Sequence, residues 1–399
     1  MNSKNYAYKH QFHPELDSFR CFGIALVLAT HMRLTSFGWI AMEMFFVLSG
    51  FLITKSLVGL KEAPNQKKAR FFFRRRIARI FPLYFGFLIV VYCLNLGFSI
   101  TPDLRSQLPY LSTFSFNFMM YPNHETNEWY SHLWSISLEE QFYLVWGLFL
   151  LFLPFSFCRF IAISVIFIAP IARWWLHKKA VALGFNLYDV GRITYFHTLA
   201  QMDSFMIGAA TATFWQENLN KNFKKYLVII CFLIVSGALY NILTIKHIPW
   251  QHHLGYPFVF SGNFTHIWSY TLFNVFFALS IVFFTSRTTK NEHRIKAIFR
   301  IPLIVKIGQA SFSMYVFHWV LLEPCKQFYL SITSVLPSGM AKILNFEGFI
   351  FVFYLIIVSC IGIFSYKFIE IPAKRLIISN SKNKSLFNNL SSAEEGFKT

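Results

Sequence analysis

Apolar runs near the length of a membrane span recur along the whole chain, and they restrict its architecture more than any other feature. A hydrocarbon core about 30 Å thick takes about 20 residues of helix, and such runs read as membrane helices rather than as strands or loops. They fall near 16-35, 38-57, 80-98, 132-153, 157-177, 196-215, 226-245, 267-286, 307-330 and 346-366. No gap between them is large enough for a soluble domain. The expected fold is therefore an all-α polytopic membrane protein of about ten transmembrane helices. Residues 1-378 make up one transmembrane domain. Residues 379-399, rich in Ser, Asn and Lys, form a polar tail expected to be disordered.

Charge placement sets the expected orientation. Lys and Arg number 37 against 18 Asp and Glu, an excess that elsewhere would suggest nucleic acid. Here most of the basic residues lie in the segments 1-15, 58-79, 154-159, 216-225, 287-306 and 367-399, between or beyond the spans. The positive-inside rule puts those segments, and both termini, in the cytoplasm. Nucleic acid is not needed to explain them; membrane lipids are the expected partner. The six cysteines are scattered singly through apolar segments, without metal-ligand spacing, and read as small hydrophobic residues. No metal is expected. The polar first fifteen residues and the lack of a small-residue cleavage site predict that the first span is retained.

Ionisable residues inside spans are costly and face a bundle interior or a wet cavity. The first run, LDSFRCFGIALVLATHM, carries Arg20 and His31. Eleven residues of helix turn through about 1,100°, so the two share nearly one face, about 16 Å apart along the axis. Either Arg20 snorkels at one end and His31 at the other headgroup layer, or the stripe marks a site. The basic stretch before the third span ends on Arg76 and Arg79, read as a helix start with Pro82 following. Two guanidiniums three residues apart can clamp a phosphate or simply bind anionic headgroups. Ser49 and Gly50 interrupt a bulky run and read as helix packing.

In SHLWSISLEEQFYLVWG, Ser135, Glu139 and Tyr143 lie four apart and form one polar stripe, with Glu140 and Gln141 pointing away. A carboxylate here could orient His31 for general-base chemistry, or the glutamate pair could cap the helix with Trp134 in the aromatic belt. Asp203 lies alone in an apolar run and could pair with a basic neighbour. Ser311, Tyr315 and His318 repeat the stripe pattern in the ninth span, for interhelical bonding or substrate contact. Pro372 is expected to end the last helix, with Lys374 and Arg375 anchoring it.

Taken in order, LDSFR with His31, FFVLSGFLIT, Arg76 and Arg79 before Pro82, WSISLEEQFY, MDSFMIG and SFSMYVFH resemble the acyltransferase-3 family of integral-membrane acyltransferases, which O-acylate bacterial surface glycans. The resemblance covers most of the chain. It implies a ten-span core in the bacterial inner membrane that takes an acyl group, usually acetyl, from acyl-coenzyme A in the cytoplasm. The acceptor implied is a glycan hydroxyl at the outer leaflet or periplasm, such as lipopolysaccharide O-antigen. It further implies Arg20 and His31 as the essential pair, Arg76 and Arg79 at the donor, and Glu139 as a catalytic glutamate. Ser135, Tyr143, Asp203, Ser311, Tyr315 and His318 are the substrate-side candidates. Three positions depart from the pattern: Cys21 replaces a common glycine, Glu43 an aspartate, and Gln201 a frequent arginine. No hydrolase-like domain is expected after the last span.

A different class of function uses the same residue types. Arg20, His31, Glu139 and Asp203 could form the proton relay of a transporter or flippase for a glycan or lipid-linked precursor. The basic clamp, and the lack of matching broken spans in two halves, favour the enzyme.

Overall fold

The computed structural model describes residues 13–60, 64–98, 103–121, 127–245, 253–258, 262–286, 290–337, 344 and 346–379. The polar tail from residue 380 onward lies outside them. Among the described residues there is no strand. Ten long helices carry the fold, one for each expected span: α1 Pro14–His31, α2 Ile40–Val58, α3 Asn65–Phe98, α4 Trp134–Phe152, α5 Phe155–Ala182, α6 Thr198–Ala210, α7 Phe223–Thr244, α8 Thr265–Thr285, α9 Ser311–Thr333 and α10 Glu347–Ser365.

Among the described residues, six of these, α2, α3, α5, α7, α8 and α10, are long and apolar enough to cross a membrane. The remaining four, α1, α4, α6 and α9, are those that carry most of the polar residues singled out in the sequence. Apolarity is diluted where chemistry is concentrated, and α6 is in addition only 13 residues long.

Local rules explain where α1 begins and ends. Pro14 opens it, and Glu15 and Asp17 occupy the first turn, where their charge complements the helix dipole. Arg33 closes it in the left-handed region at φ 62°, while Leu34 N–H donates back to the Ala29 carbonyl over 3.0 Å. His31 is thereby held on the last turn.

Two expectations about helix ends are corrected. The basic stretch before Pro82 is not a loop leading to a helix start: α3 runs unbroken from Asn65 through Pro82 to Phe98. Its apolar residues interleave with arginines at helical spacing, and membrane helices tolerate an internal proline. At 34 residues it is about 51 Å long, well beyond a hydrocarbon core of about 30 Å. Pro372 does not end the last helix either. A π-helical turn at Tyr366–Glu370 follows α10 directly, and Ile371–Ser379 continues as α-helix. Pro372 sits in the first turn of that segment, where a missing N–H costs little.

Glycines set the closest approaches. A Cβ on Gly50 would lie 2.0 Å from the Phe205 carbonyl oxygen, and one on Gly208 would lie 2.0 Å from that of Val47. So α2 and α6 cross backbone to backbone, as the packing reading of Gly50 expected. The short helix Pro302–Gln309 meets the start of α1 in the same way, with Gly308 against Asp17.

Candidate functional site

One cavity gathers residues from five helices. From α1 comes Arg20, from α2 Ser49, from α3 Arg76 and Arg79, from α4 Ser135, Glu139 and Tyr143, and from α9 Ser311 and Tyr315. Phe45, Leu48, Leu52, Ile80, Ile136 and Phe312 supply apolar wall. A mostly apolar pocket with a few convergent polar groups is the usual form of a small-molecule site.

Each charged group has a definite setting. Arg20 Nη1 donates to Asp17 Oδ1 over 2.5 Å, one turn back on its own helix. Asp17 in turn accepts from Gln309 Nε2 over 3.4 Å, so the carboxylate that fixes Arg20 is held from behind. The Arg76 guanidinium packs 5.2 Å from the Tyr143 ring centroid and 6.0 Å from that of Phe72. Neither Arg76 nor Arg79 forms a salt bridge among the described residues. Half-buried guanidiniums without a salt-bridge partner are suited to an anionic ligand.

Glu139 is the hub of a small hydrogen-bond network in the cavity wall. Ser49 Oγ donates to its Oε1 over 2.9 Å and the Tyr143 hydroxyl to its Oε2 over 2.8 Å. The Ser49 and Tyr143 oxygens are themselves 3.1 Å apart. This corrects two expectations. Glu139 forms no hydrogen bond or ion pair with His31 among the described residues; its oxygens accept from Ser49 and Tyr143 instead. Ser49 is also more than packing, since its hydroxyl anchors that carboxylate.

His31 stands outside the cavity, in a cluster of rings. Its centroid is 4.2 Å from Trp319 and 5.0 Å from His318, both on α9. His318 is in turn 4.8 Å from His132. The face shared by Arg20 and His31 is thus the one α1 turns toward α9, with Arg20 beside Ser311 and His31 beside His318. Tyr315 joins cavity and cluster: it lines the cavity, its ring centroid is 5.3 Å from both His132 and His318, and its hydroxyl donates to the His132 carbonyl over 2.6 Å. With that proton committed, the 2.7 Å contact between Ser135 Oγ and the Tyr315 hydroxyl has Ser135 as donor.

Asp203 lies elsewhere. It forms a two-pronged ion pair with Arg173 of α5, at 2.9 Å and 3.0 Å, with both side chains fully buried. Thr271 donates to the same carboxylate over 2.5 Å, and the Ala200 and Ile267 carbonyls take further Arg173 protons at 2.6 Å and 3.1 Å. Gln201 donates to the Tyr195 carbonyl over 2.8 Å, so the arginine on Asp203 comes from α5 rather than from its own helix. Glu43 sits nearby on α2, accepting from Ser204 over 2.7 Å. This network ties α2, α5, α6 and α8 together, and neither acid lines the cavity.

The sequence reading missed His132, Ser49 and Arg173 as partners in these networks. His132 carried a signal, three residues before Ser135 at the start of the expected span 132-153, and Arg173 was an arginine inside an apolar run. Among the described residues no group of His, Cys, Asp and Glu is arranged to hold a metal ion.

A family model described as an acyltransferase domain matches residues 13–366. The O-acetyltransferase OatA of Staphylococcus aureus (strain NCTC 8325 / PS 47) is 25% identical over 383 residues, covering 92% of this chain and 58% of OatA. A putative O-acetyltransferase of Staphylococcus aureus (strain MSSA476) is 25% identical over 394 residues, with the same shares of 92% and 58%. The chain therefore spans less than two thirds of the length of these relatives. No solved structure matches it.

Proposed function

The chain belongs to the acyltransferase family whose model covers residues 13–366, and on that premise we propose that it is a membrane O-acyltransferase using acyl-coenzyme A. The acyl group, acetyl in this reading, passes from the cytoplasmic side to a hydroxyl of a cell-surface glycan such as lipopolysaccharide O-antigen. In this reading ten helices cross the bacterial inner membrane, α6 together with its continuation through Thr211–Trp215 and Gln216–Lys221, with both termini in the cytoplasm.

The observation that carries the reading is the convergence of Arg20, Arg76 and Arg79 on one cavity, which is also lined by a carboxylate held by Ser49 and Tyr143. Arg76 and Arg79 are suited to the donor phosphates, since guanidinium and phosphate match in charge and hydrogen-bond geometry. The mostly apolar wall of the cavity suits a pantetheine arm and its acyl group, leaving the nucleotide at the mouth. His31 removes the proton of the acceptor hydroxyl as its oxygen bonds to the acyl carbon and the carbon–sulfur bond breaks. General-base help of this kind is worth about 10² to 10⁴ in rate.

The test is acyl transfer by the purified chain in proteoliposomes, from acetyl-labelled acetyl-coenzyme A to lipopolysaccharide bearing O-antigen. His31→Ala should abolish transfer while leaving the melting temperature and donor binding unchanged. Full transfer by that variant overturns the mechanism. Movement of a glycan with no consumption of thioester would replace it with the transporter reading.

A further inference from the structure

His31 needs an acceptor behind it, because a general base works best when its second ring nitrogen is held as N–H and its first is left bare. The obvious candidate, Glu139, is engaged with Ser49 and Tyr143. Two neighbouring imidazoles are free to do the work, and the backbone fixes how. His318 Nδ1 lies 2.6 Å from the Tyr315 carbonyl oxygen. A carbonyl can only accept, so Nδ1 carries the proton and Nε2 presents a lone pair. By the same logic His132, whose Nε2 is 3.2 Å from the Val316 carbonyl oxygen, presents a lone pair at Nδ1. His318 Nε2 and His132 Nδ1 are both buried without a hydrogen-bond partner among the described residues.

Two buried lone pairs in one cluster cannot satisfy each other, and leaving a buried acceptor unpaired costs about 1 to 3 kcal/mol. They require a donor from outside the pair. His31 is in place: its ring centroid is 5.0 Å from that of His318. Imidazoles joined by an N–H···N bond have centroids about 5 Å apart, from a donor–acceptor separation of about 3 Å. Ring rotation separates the present contact from a bond. No hydrogen bond among the described residues opposes that rotation, while Trp319, 4.2 Å away, confines the ring on another side.

We propose that His318 is the positioning residue for His31, accepting the N–H of its far ring nitrogen so that the near nitrogen faces the acceptor hydroxyl as a base. This deepens the acyl-transfer reading and rests on it. In the reaction the hydroxyl proton moves to His31, the oxygen–carbon bond forms, and the carbon–sulfur bond breaks. The electron pair of that bond leaves on the coenzyme A sulfur as thiolate, and the proton gained by His31 passes to that thiolate or to water, which returns His31 to the neutral base and leaves the free thiol. His318 keeps its own Nδ1 proton throughout and disperses the charge gained by His31. Removing a residue that orients a ligand or base in this way typically costs about 10- to 100-fold.

The experiment compares His318→Gln, His318→Phe and His318→Met in the same transfer assay. Gln can offer a carbonyl oxygen near the position of Nε2; Phe and Met keep bulk without an acceptor. The expected result is a fall in kcat of at least 10-fold for Phe and Met, with the KM for acetyl-coenzyme A unchanged and most of the loss recovered in Gln. Met covers the case in which Phe does not fold. Wild-type kcat in a folded Phe or Met variant overturns the proposal, and so does equal loss in a folded Gln variant, which would make the ring a matter of shape. His31→Ala separates the two levels: if it retains transfer, the acyl-transfer mechanism itself has failed; if it abolishes transfer while His318→Phe does not, only the role of His318 has.

Discussion

Tyr143 and Glu139, one turn apart on α4, are joined by a 2.8 Å hydrogen bond in the wall of the cavity that three arginines also line. Ser49 completes the grip from α2. Hydrogen bonds to a charged group contribute about 1.5 to 3 kcal/mol each. Glu139→Gln removes the charge and keeps the volume, and should lower transfer by about 10- to 100-fold. Tyr143→Phe, which leaves the Ser49 bond in place, should lower it less. Initial rates with saturating acetyl-coenzyme A decide the order, and an Tyr143→Phe defect larger than that of Glu139→Gln would contradict it.

Arg76 and Arg79 form no salt bridge among the described residues, so their hydrogen-bond donors are available to a ligand. Arg76→Ala and Arg79→Ala should each weaken coenzyme A binding by about 10- to 150-fold, the loss of one charge-assisted contact. Calorimetry at two ionic strengths measures it, and the difference from wild type should be larger at low salt. Unchanged affinity would make these arginines topology signals and lipid contacts only.

Asp203 and Arg173 hold the bundle rather than the ligand. Removing one partner leaves a buried charge uncompensated, at about 3 to 5 kcal/mol. Asp203→Asn should therefore lower the melting temperature sharply, whereas Arg173→Leu with Asp203→Leu should be milder than either single change. Thermal unfolding in detergent distinguishes these outcomes.

Gly308 touches the peptide that carries Asp17: a Cβ there would lie 1.7 Å from the Asp17 carbonyl oxygen. Gly308→Ala should displace the start of α1 and with it Arg20, weakening donor binding although the substitution adds one methyl group at a distance from the ligand. Gly86→Ala, where a Cβ meets nothing within 4 Å, is the matched control.

Arg33 adopts φ 62°, a conformation costing a residue with a Cβ about 1 to 2 kcal/mol. Its side chain is exposed. Arg33→Gly should raise stability by about 1 kcal/mol with transfer unchanged, read from the melting curve and the assay together.

The helices and the two ends of the site were legible because each rests on local spacing. Arg20 and His31 share a face by arithmetic, and Ser135, Glu139 and Tyr143 by a step of four. What was not legible depends on which helices become neighbours. Glu139 was expected on His31, but α2 places Ser49 against it, 90 positions away in sequence. Ser135 meets Tyr315 across 180 positions. Asp203 was recognised as needing a basic partner, yet only the packing of α5 against α6 identifies it as Arg173. The start of α3 was misplaced for a different reason: its basic residues suggested a loop, while their interleaving with apolar residues already had helical period.

An unbroken α3 also has a metrical consequence. From Lys67 to Arg79 the chain advances about 18 Å along a single hydrogen-bonded axis, so the depth of the arginines below the basic surface is fixed by helix rise and not by the conformation of a connection. On the proposed function the protein carries a built-in ruler for its donor. A thioester on a long flexible arm can keep its phosphates at Arg76 and Arg79 while its carbonyl reaches past Tyr315; a compact donor such as acetyl phosphate, with carbonyl and phosphate joined through one oxygen, is too short to be read at both ends.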